Sequence, residues 1–181
     1  MTKLMNEIMP NEYVHSIYDI NLDKLWEGGK RLLLTDLDNT LVPWNEPGVS
    51  EKLSQWFSRA REMGFKLCII SNNKGQRVKD FAAVCELPYI APARKPSPYA
   101  FAKALQRFES TSDRTVMIGD QLFTDIRGGN RTGLYTILVV PIHPREWWGT
   151  RITRKIEGIA MKRLIRRGLV IPSVRKPEQK G

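Results

Sequence analysis

An α/β fold, with a parallel sheet of about five strands sandwiched between helices, is what this chain of 181 residues predicts. Three observations carry the prediction. Short apolar runs recur along the chain, segments of helical character separate them, and four of the runs end in residues able to do chemistry. Strand and helix in alternation is the pattern of right-handed βαβ units. In such sheets, ligands bind in the crevice beyond the carboxyl ends of the strands.

The apolar runs are Arg31 to Thr35, Lys66 to Ile70, a short one around Tyr89 and Ile90, Thr115 to Gly119, and Tyr135 to Val140. Between them, Ser50 to Met63 and Ser97 to Glu109 read as helices, each opening on a serine whose hydroxyl can accept from a first-turn N–H. Gln76 to Cys85 and Leu122 to Arg131 read as shorter helices. Gly128, Gly129 and Gly133 read as helix-end and turn glycines. There is no internal repeat, and the polar stretch "RKPEQKG" at the end is the only biased segment.

A chain of this length suits one domain with a core that needs no disulfide or structural metal. Cys68 and Cys85 lie in or near apolar segments without CxxC spacing, so both read as inert core thiols of a reducing compartment. No run reaches the roughly 18 apolar residues of a membrane span. Polar residues interrupt the first seventeen positions too often for a secretory signal, so a cytoplasmic location is expected. The net charge is +10. Residues 145–181 carry eleven Lys or Arg against three Glu, a surplus of eight, so most of the excess is a C-terminal property.

The stretch "TDLDNTLV" (35–42) raises the main question, because Asp is a poor strand residue and an ionised one is costly to bury. Asp36 and Asp38 follow the first apolar run, Ser71, Asn72 and Asn73 the second, Arg94 and Lys95 the third, and Gly119, Asp120 and Asp125 the fourth. One such residue could be a turn former or a helix cap. Acids, a hydroxyl and a lysine on one rim, delivered by four successive strand ends, suggest a site.

Three acids gathered at one point repel unless a cation lies between them. Hard oxygen donors without His or Cys suit Mg2+. A lysine, a serine hydroxyl and backbone N–H groups opposite that ion make a receptor for a tetrahedral dianion such as phosphate. An ionised carboxylate there can attack phosphorus, dividing one slow hydrolysis into two displacements through an aspartyl-phosphate. A second acid two residues on can protonate the leaving oxygen and then activate water.

"DLDNTL", "IISNN", "ARKPSP" and "GDQLFTD", in that order, resemble the four motifs of the haloacid dehalogenase (HAD) superfamily across residues 30–140. The resemblance implies a Rossmann-like three-layer fold and a phosphatase. It implies Asp36 as nucleophile and metal ligand, and Asp38 as general acid and base with its carbonyl on the metal. It also implies Ser71 and Lys95 at the phosphoryl group, Asp120 on the metal, and Asp125 as a nearby metal-site acid. Thr40 and Asn72, beside Ser71, are candidates for substrate binding, and with Gly119 they are expected to shape loops rather than to react. Thirty-five positions separate Asp36 from Ser71 and 24 separate Ser71 from Lys95, which leaves no room for a cap domain. "MPNEYVHSIYDINLDKL", "DLDNTLVPWNEP" and "DQLFTDIRGGNRTG" further resemble the YqeG family of subfamily IIIA, itself similar to phosphatidylglycerophosphate phosphatases. That implies a phospholipid phosphomonoester as a candidate substrate. A soluble phosphatase acting on a sugar phosphate, a nucleotide or a polynucleotide end, and a non-catalytic module that binds RNA or protein, are the rival readings.

The expected layout is a cap-less catalytic domain over 1–144, a basic helix over 145–171 and a polar tail over 172–181. On that helix Ile152, Ile156 and Ile159 share one face, with Trp147 and Trp148 ahead. The face could pack on the sheet, lie on an anionic membrane leaflet at the inner face of the membrane, or accompany RNA binding.

Overall fold

The structure is a computed structural model and describes residues 2–45, 48–143 and 150–172. In chain order its elements are α1 (Thr2–Glu7), β1 (Glu12–Val14), α2 (Leu22–Glu27), β2 (Leu32–Thr35), α3 (Glu51–Glu62), β3 (Lys66–Ile70), α4 (Gln76–Val84), β4 (Tyr89–Ile90), α5 (Tyr99–Phe108), β5 (Thr115–Gly119), α6 (Arg127–Arg131), β6 (Tyr135–Val139) and α7 (Thr150–Arg166). A π-helical turn, Leu122–Ile126, leads into α6.

The strands form one sheet in the order β1-β6-β5-β2-β3-β4, and every pairing is parallel. The chain runs outward from β2 through β3 to β4, then crosses back to β5 on the other side of β2. This reversal opens a crevice at the carboxyl end of β2, the switch point of a doubly wound sheet.

Side chains alternate across the strands and build the three layers. Leu33, Leu67, Ile69, Val116 and Ile118 meet Leu53, Trp56 and Phe57 of α3 and Val78 and Phe81 of α4. Leu32, Leu34, Cys68, Ile70 and Met117 meet Ala100, Phe101 and Ala104 of α5 on the opposite face. All four residues of β2 are buried, as expected of a central parallel strand covered on both faces. Each buried leucine there contributes up to about 3 kcal/mol, which anchors the strand that carries Asp36. Cys68 and Cys85 are buried and free. Burial pushes the Cys68 thiol up to about 12, consistent with an inert core residue.

Six strands stand where about five were expected. The additional one, β1, is three half-buried residues, Glu12-Tyr13-Val14, too short and too polar to register as an apolar run. It is held beside β6 by Asn11, whose N–H donates to the Thr136 carbonyl (2.9 Å) and whose Oδ1 accepts from Thr136 N–H (2.8 Å). The helix after Lys95 begins at Tyr99 with Pro98 at its cap, and the Ser97 hydroxyl accepts a longer bond, 3.4 Å, from Tyr99 N–H. Gly128 and Gly129 lie inside α6, not at a helix end. A Cβ on Gly128 would press into the Phe101 ring and one on Gly129 into Thr136 and Met117, so the pair lets α6 sit close to α5 and the sheet. Gly133 is the turn glycine, at φ +76°.

In α7 the buried positions are Ala160 and Leu164, with Leu169 just beyond; they pack with Met5, Ile8, Leu122, Ile126 and Leu138. Ile156 and Ile159 are exposed, at 51% and 55%. Ile156 and Ile159 therefore do not pack on the sheet; among the described side chains the helix turns Ala160 and Leu164 inward, against α1 and the π-helical turn. Trp147, Trp148 and the tail from residue 173 lie outside the described residues. No described helix is long and apolar enough to cross a membrane.

Candidate active site

Four strand ends converge as the sequence predicts. Asp36 follows β2 directly, its N–H still in the ladder with the Ile118 carbonyl (2.9 Å), so its position is fixed by the sheet. Asp120 follows β5, the neighbouring strand, and Asp125 arrives from the π-helical turn. Carboxylate oxygens of Asp36, Asp120 and Asp125 all lie within 4.8 Å of one another, and all three residues are buried. Asp38 contributes no carboxylate to this group.

Gly119 explains how Asp125 comes so close. A Cβ there would collide with the Asp125 carboxylate. Asp125 Oδ2 in turn accepts from Gln121 N–H (3.1 Å), tying the acid to the loop that carries Asp120. Thr40 Oγ1 donates to Asp120 Oδ1 at 3.3 Å, so this threonine orients a cluster acid.

Lys95 reaches the cluster from the loop after β4. Its Nζ lies 2.6 Å from Asp36 Oδ1, 2.7 Å from Asp125 Oδ1 and 2.7 Å from the Ile70 carbonyl, three acceptors for an ammonium with three N–H groups. Asn72 fixes the lysine's backbone: its Nδ2 donates to the Lys95 carbonyl (3.0 Å) and its Oδ1 accepts from Lys95 N–H (2.7 Å). Both ends of the Asn72 amide are thus engaged by the Lys95 backbone. Ser71 is buried beside these groups at the end of β3, and its hydroxyl accepts from Asn73 N–H (3.1 Å).

The charges are strongly coupled. Burial raises the Asp36 carboxyl from its ordinary 3.8 to about 7; Lys95 opposes the rise, and Asp125 and Asp38 add to it. Burial alone would lower Lys95, but Asp125 and Asp36 overcome it and hold the ammonium above its ordinary range. One lysine thus faces three buried carboxylates, leaving negative charge that a small divalent cation would neutralise. Hard oxygen donors and a buried, partly uncompensated cluster fit Mg2+.

Asp38 sits on the turn after Asp36, where Asn39 N–H donates to the Val42 carbonyl (2.7 Å). Its carboxylate meets Arg77 Nε at 2.9 Å and Asn73 Nδ2 at 3.3 Å. Arg77, in the first turn of α4, is a site residue that sequence reasoning missed; an arginine at the surface-facing start of a helix carries no signal of its own. Among the described residues, neither the stretch from Asp38 to α3 nor that from Ser71 to Lys95, which holds only α4 and β4, carries a cap, so the crevice is open.

A family model described as HAD-hydrolase-like matches residues 92–140. The chain is 42% identical over 160 residues to the probable phosphatase YqeG of Bacillus subtilis, covering 88% of this chain and 93% of that one. It is 28% identical over 172 residues to phosphatidylglycerophosphate phosphatase 1, chloroplastic/mitochondrial, of Arabidopsis thaliana, covering 90% of this chain and 49% of the relative. The fold is similar to the solved structure of a hypothetical protein from Xanthomonas campestris, with TM-score 0.52, 17% identity and coverage of 72% and 76% of the two chains. With the four-loop cluster and a near full-length match to a single relative, the chain belongs to the YqeG family of HAD phosphatases.

Proposed function

We propose that this phosphatase hydrolyses a phosphomonoester through an aspartyl-phosphate on Asp36, with Mg2+ as its metal and a phospholipid, phosphatidylglycerophosphate, as its substrate. The observation that carries the reading is the contact of Asp36 with Lys95 beside Asp120 and Asp125, four side chains from three strand ends at one point.

Asp36 attacks phosphorus as a carboxylate, a form that Lys95 favours against the cost of burial. Lys95 and the Ser71 hydroxyl hold the phosphoryl oxygens, and Asp38 gives a proton to the departing alkoxide. In the second step Asp38 takes a proton from water as that water attacks the phosphorylated Asp36. Asp36, Asp120, Asp125 and the Asp38 carbonyl would hold the Mg2+, which supplies positive charge against the phosphoryl oxygens. Thr40, Asn72 and Gly119 keep the acids and the lysine in place.

Residues 1–144 form the catalytic unit in this reading, and the basic helix within 145–171 assists at a membrane surface; the tail, 172–181, takes no part. A crevice without a cap needs its substrate, or the surface carrying it, to complete the enclosure. Trp44 and Ile142 are 46% and 44% exposed, and Ile142 N–H donates to the Asn39 carbonyl (3.0 Å), so its loop abuts the nucleophile's turn. Glu157 Oε1 accepts from Leu122 N–H (3.1 Å), which docks α7, with its exposed Ile156 and Ile159, on the π-helical turn that bears Asp125. Exposed apolar side chains on segments next to an open anion site, with Lys162, Arg163, Arg166 and Arg167 further along α7 and just after it, suit a lipid phosphate at an anionic leaflet. The activity for which the Arabidopsis relative is named supports the same substrate.

Phosphate release with Mg2+ from phosphatidylglycerophosphate in vesicles, glycerol 3-phosphate, a nucleoside monophosphate and an aryl phosphate tests the reading. The lipid should be the best substrate by kcat/KM. Preference for a soluble ester would remove the lipid assignment, and no release from any ester would remove the mechanism.

A further inference from the structure

The acid and base of the proposed reaction sits at a partly exposed position, where an aspartate would ordinarily sample several rotamers. Here it does not stand alone. Arg77 Nε meets Asp38 Oδ1 at 2.9 Å, and a terminal nitrogen of the same guanidinium donates to the Pro43 carbonyl at 2.6 Å. Arg77 and Asp38 side chains are 23% and 24% exposed. One planar group thus grips both ends of the turn from Asp38 to Pro43, and Asn73 Nδ2 approaches the other Asp38 oxygen at 3.3 Å. Since Asn73 and Arg77 flank the start of α4, the helix that follows the Ser71 loop reaches across to the loop of the nucleophile.

We propose that Arg77 is a positioning residue for proton transfer: by holding the Asp38 carboxylate and the Pro43 carbonyl together, it aims Asp38 at the leaving-group oxygen. Resting on the phosphatase reading above, the inference deepens it by naming what orients the general acid. Ion pairs this exposed add little stability, so the use of this one is geometric. Arginine is suited to it because its rigid fork can hold two acceptors at fixed angles, which a lysine ammonium on a flexible stem cannot. A proton donor must lie within hydrogen-bond reach of the oxygen it serves, and a misdirected one gives little catalysis.

Leaving groups of different basicity separate this role from a merely structural one. An alkyl alkoxide needs a proton as it departs; p-nitrophenolate does not. kcat/KM reports only the steps through formation of the phosphorylated Asp36, so the two esters isolate the first proton transfer. In Arg77→Ala, kcat/KM should fall roughly 10- to 100-fold on the alkyl ester and no more than about 3-fold on p-nitrophenyl phosphate. Arg77→Lys should show the same selectivity in smaller degree. Asp38→Asn should be selective in the same sense, and adding Arg77→Ala to it should cost nothing further on the alkyl ester, since two residues acting as a unit are not additive. Thermal unfolding of each variant checks that the fold is retained. Equal losses on both esters, or full additivity with Asp38→Asn, would overturn the proposal. Inactivity of the wild-type protein on both esters would instead overturn the phosphatase reading on which it rests.

Discussion

The crevice at the end of β2 and the helix α7 are built under different constraints. In the crevice, Asp36, Lys95, Asp120 and Asp125 are buried and have partners that fix them: Lys95 answers Asp36 and Asp125, and Thr40 orients Asp120. A change there leaves a charge without its counterpart in a medium that punishes it. On α7 the described side chains divide by packing alone, with Ala160 and Leu164 inside and Ile156 and Ile159 outside, although the isoleucines are as apolar as the leucine. Chemistry dictates which residues occupy the first region, whereas available space dictates which face the second one buries.

Gly119→Ala attacks the first region at its tightest point. The new methyl would displace the Asp125 carboxylate and remove a partner of the buried Lys95, so the variant should lose about 3–5 kcal/mol of stability, with its phosphatase activity. Urea unfolding reads the first and phosphate release the second. If Gly119→Ala unfolds like the parent, the cluster is less closely packed than its geometry implies.

A pair of substitutions measures the second region. Leu164→Ala should cost about 2–4 kcal/mol, as expected for emptying a packed site. Ile159→Ala should change stability by no more than about 0.5 kcal/mol, because the side chain lies mostly in water. On anionic vesicles the order should invert, with Ile159→Ala reducing flotation of the protein. A stability loss at Ile159 matching that at Leu164 would mean that the helix packs in the phase its isoleucines suggest.

Smaller still is the effect of pH on the unfilled crevice. Asp36 is raised from 3.8 to about 7 in the folded protein, so between these values the folded state holds a proton that the unfolded chain has released. Without divalent ions, this group's contribution to stability should therefore be present below about pH 4 and be lost as the pH rises through about 7. Mg2+ binds the deprotonated cluster, so it should raise the melting temperature more at pH 8 than at pH 5.5, by a few degrees at saturating ion. An equal rise at both values would detach the ion from Asp36.

The same division explains what could be read from the chain. "TDLDNTLV" and "GDQLFTD" declare themselves because acids after buried strands need a reason that packing does not supply. The central strands β2, β3 and β5 were legible as unbroken apolar runs. Edge strand β1 was not, because three residues paired on one side need neither length nor apolarity. Nor was the pairing of the Asn72 amide with the Lys95 backbone, because 23 positions separate the two and only the fold brings them together. Arg77 is invisible for a further reason: its partners, Asp38 and Pro43, are more than thirty positions away, and only the fold brings the three together.

The central claim is that Asp36 becomes phosphorylated. Borohydride added during turnover with Mg2+ reduces an acyl phosphate to an alcohol, so peptide mass spectrometry should find homoserine in place of aspartate at position 36, dependent on substrate and absent from Asp36→Asn. Unmodified Asp36 under steady turnover, or turnover that survives Asp36→Asn, would contradict the account.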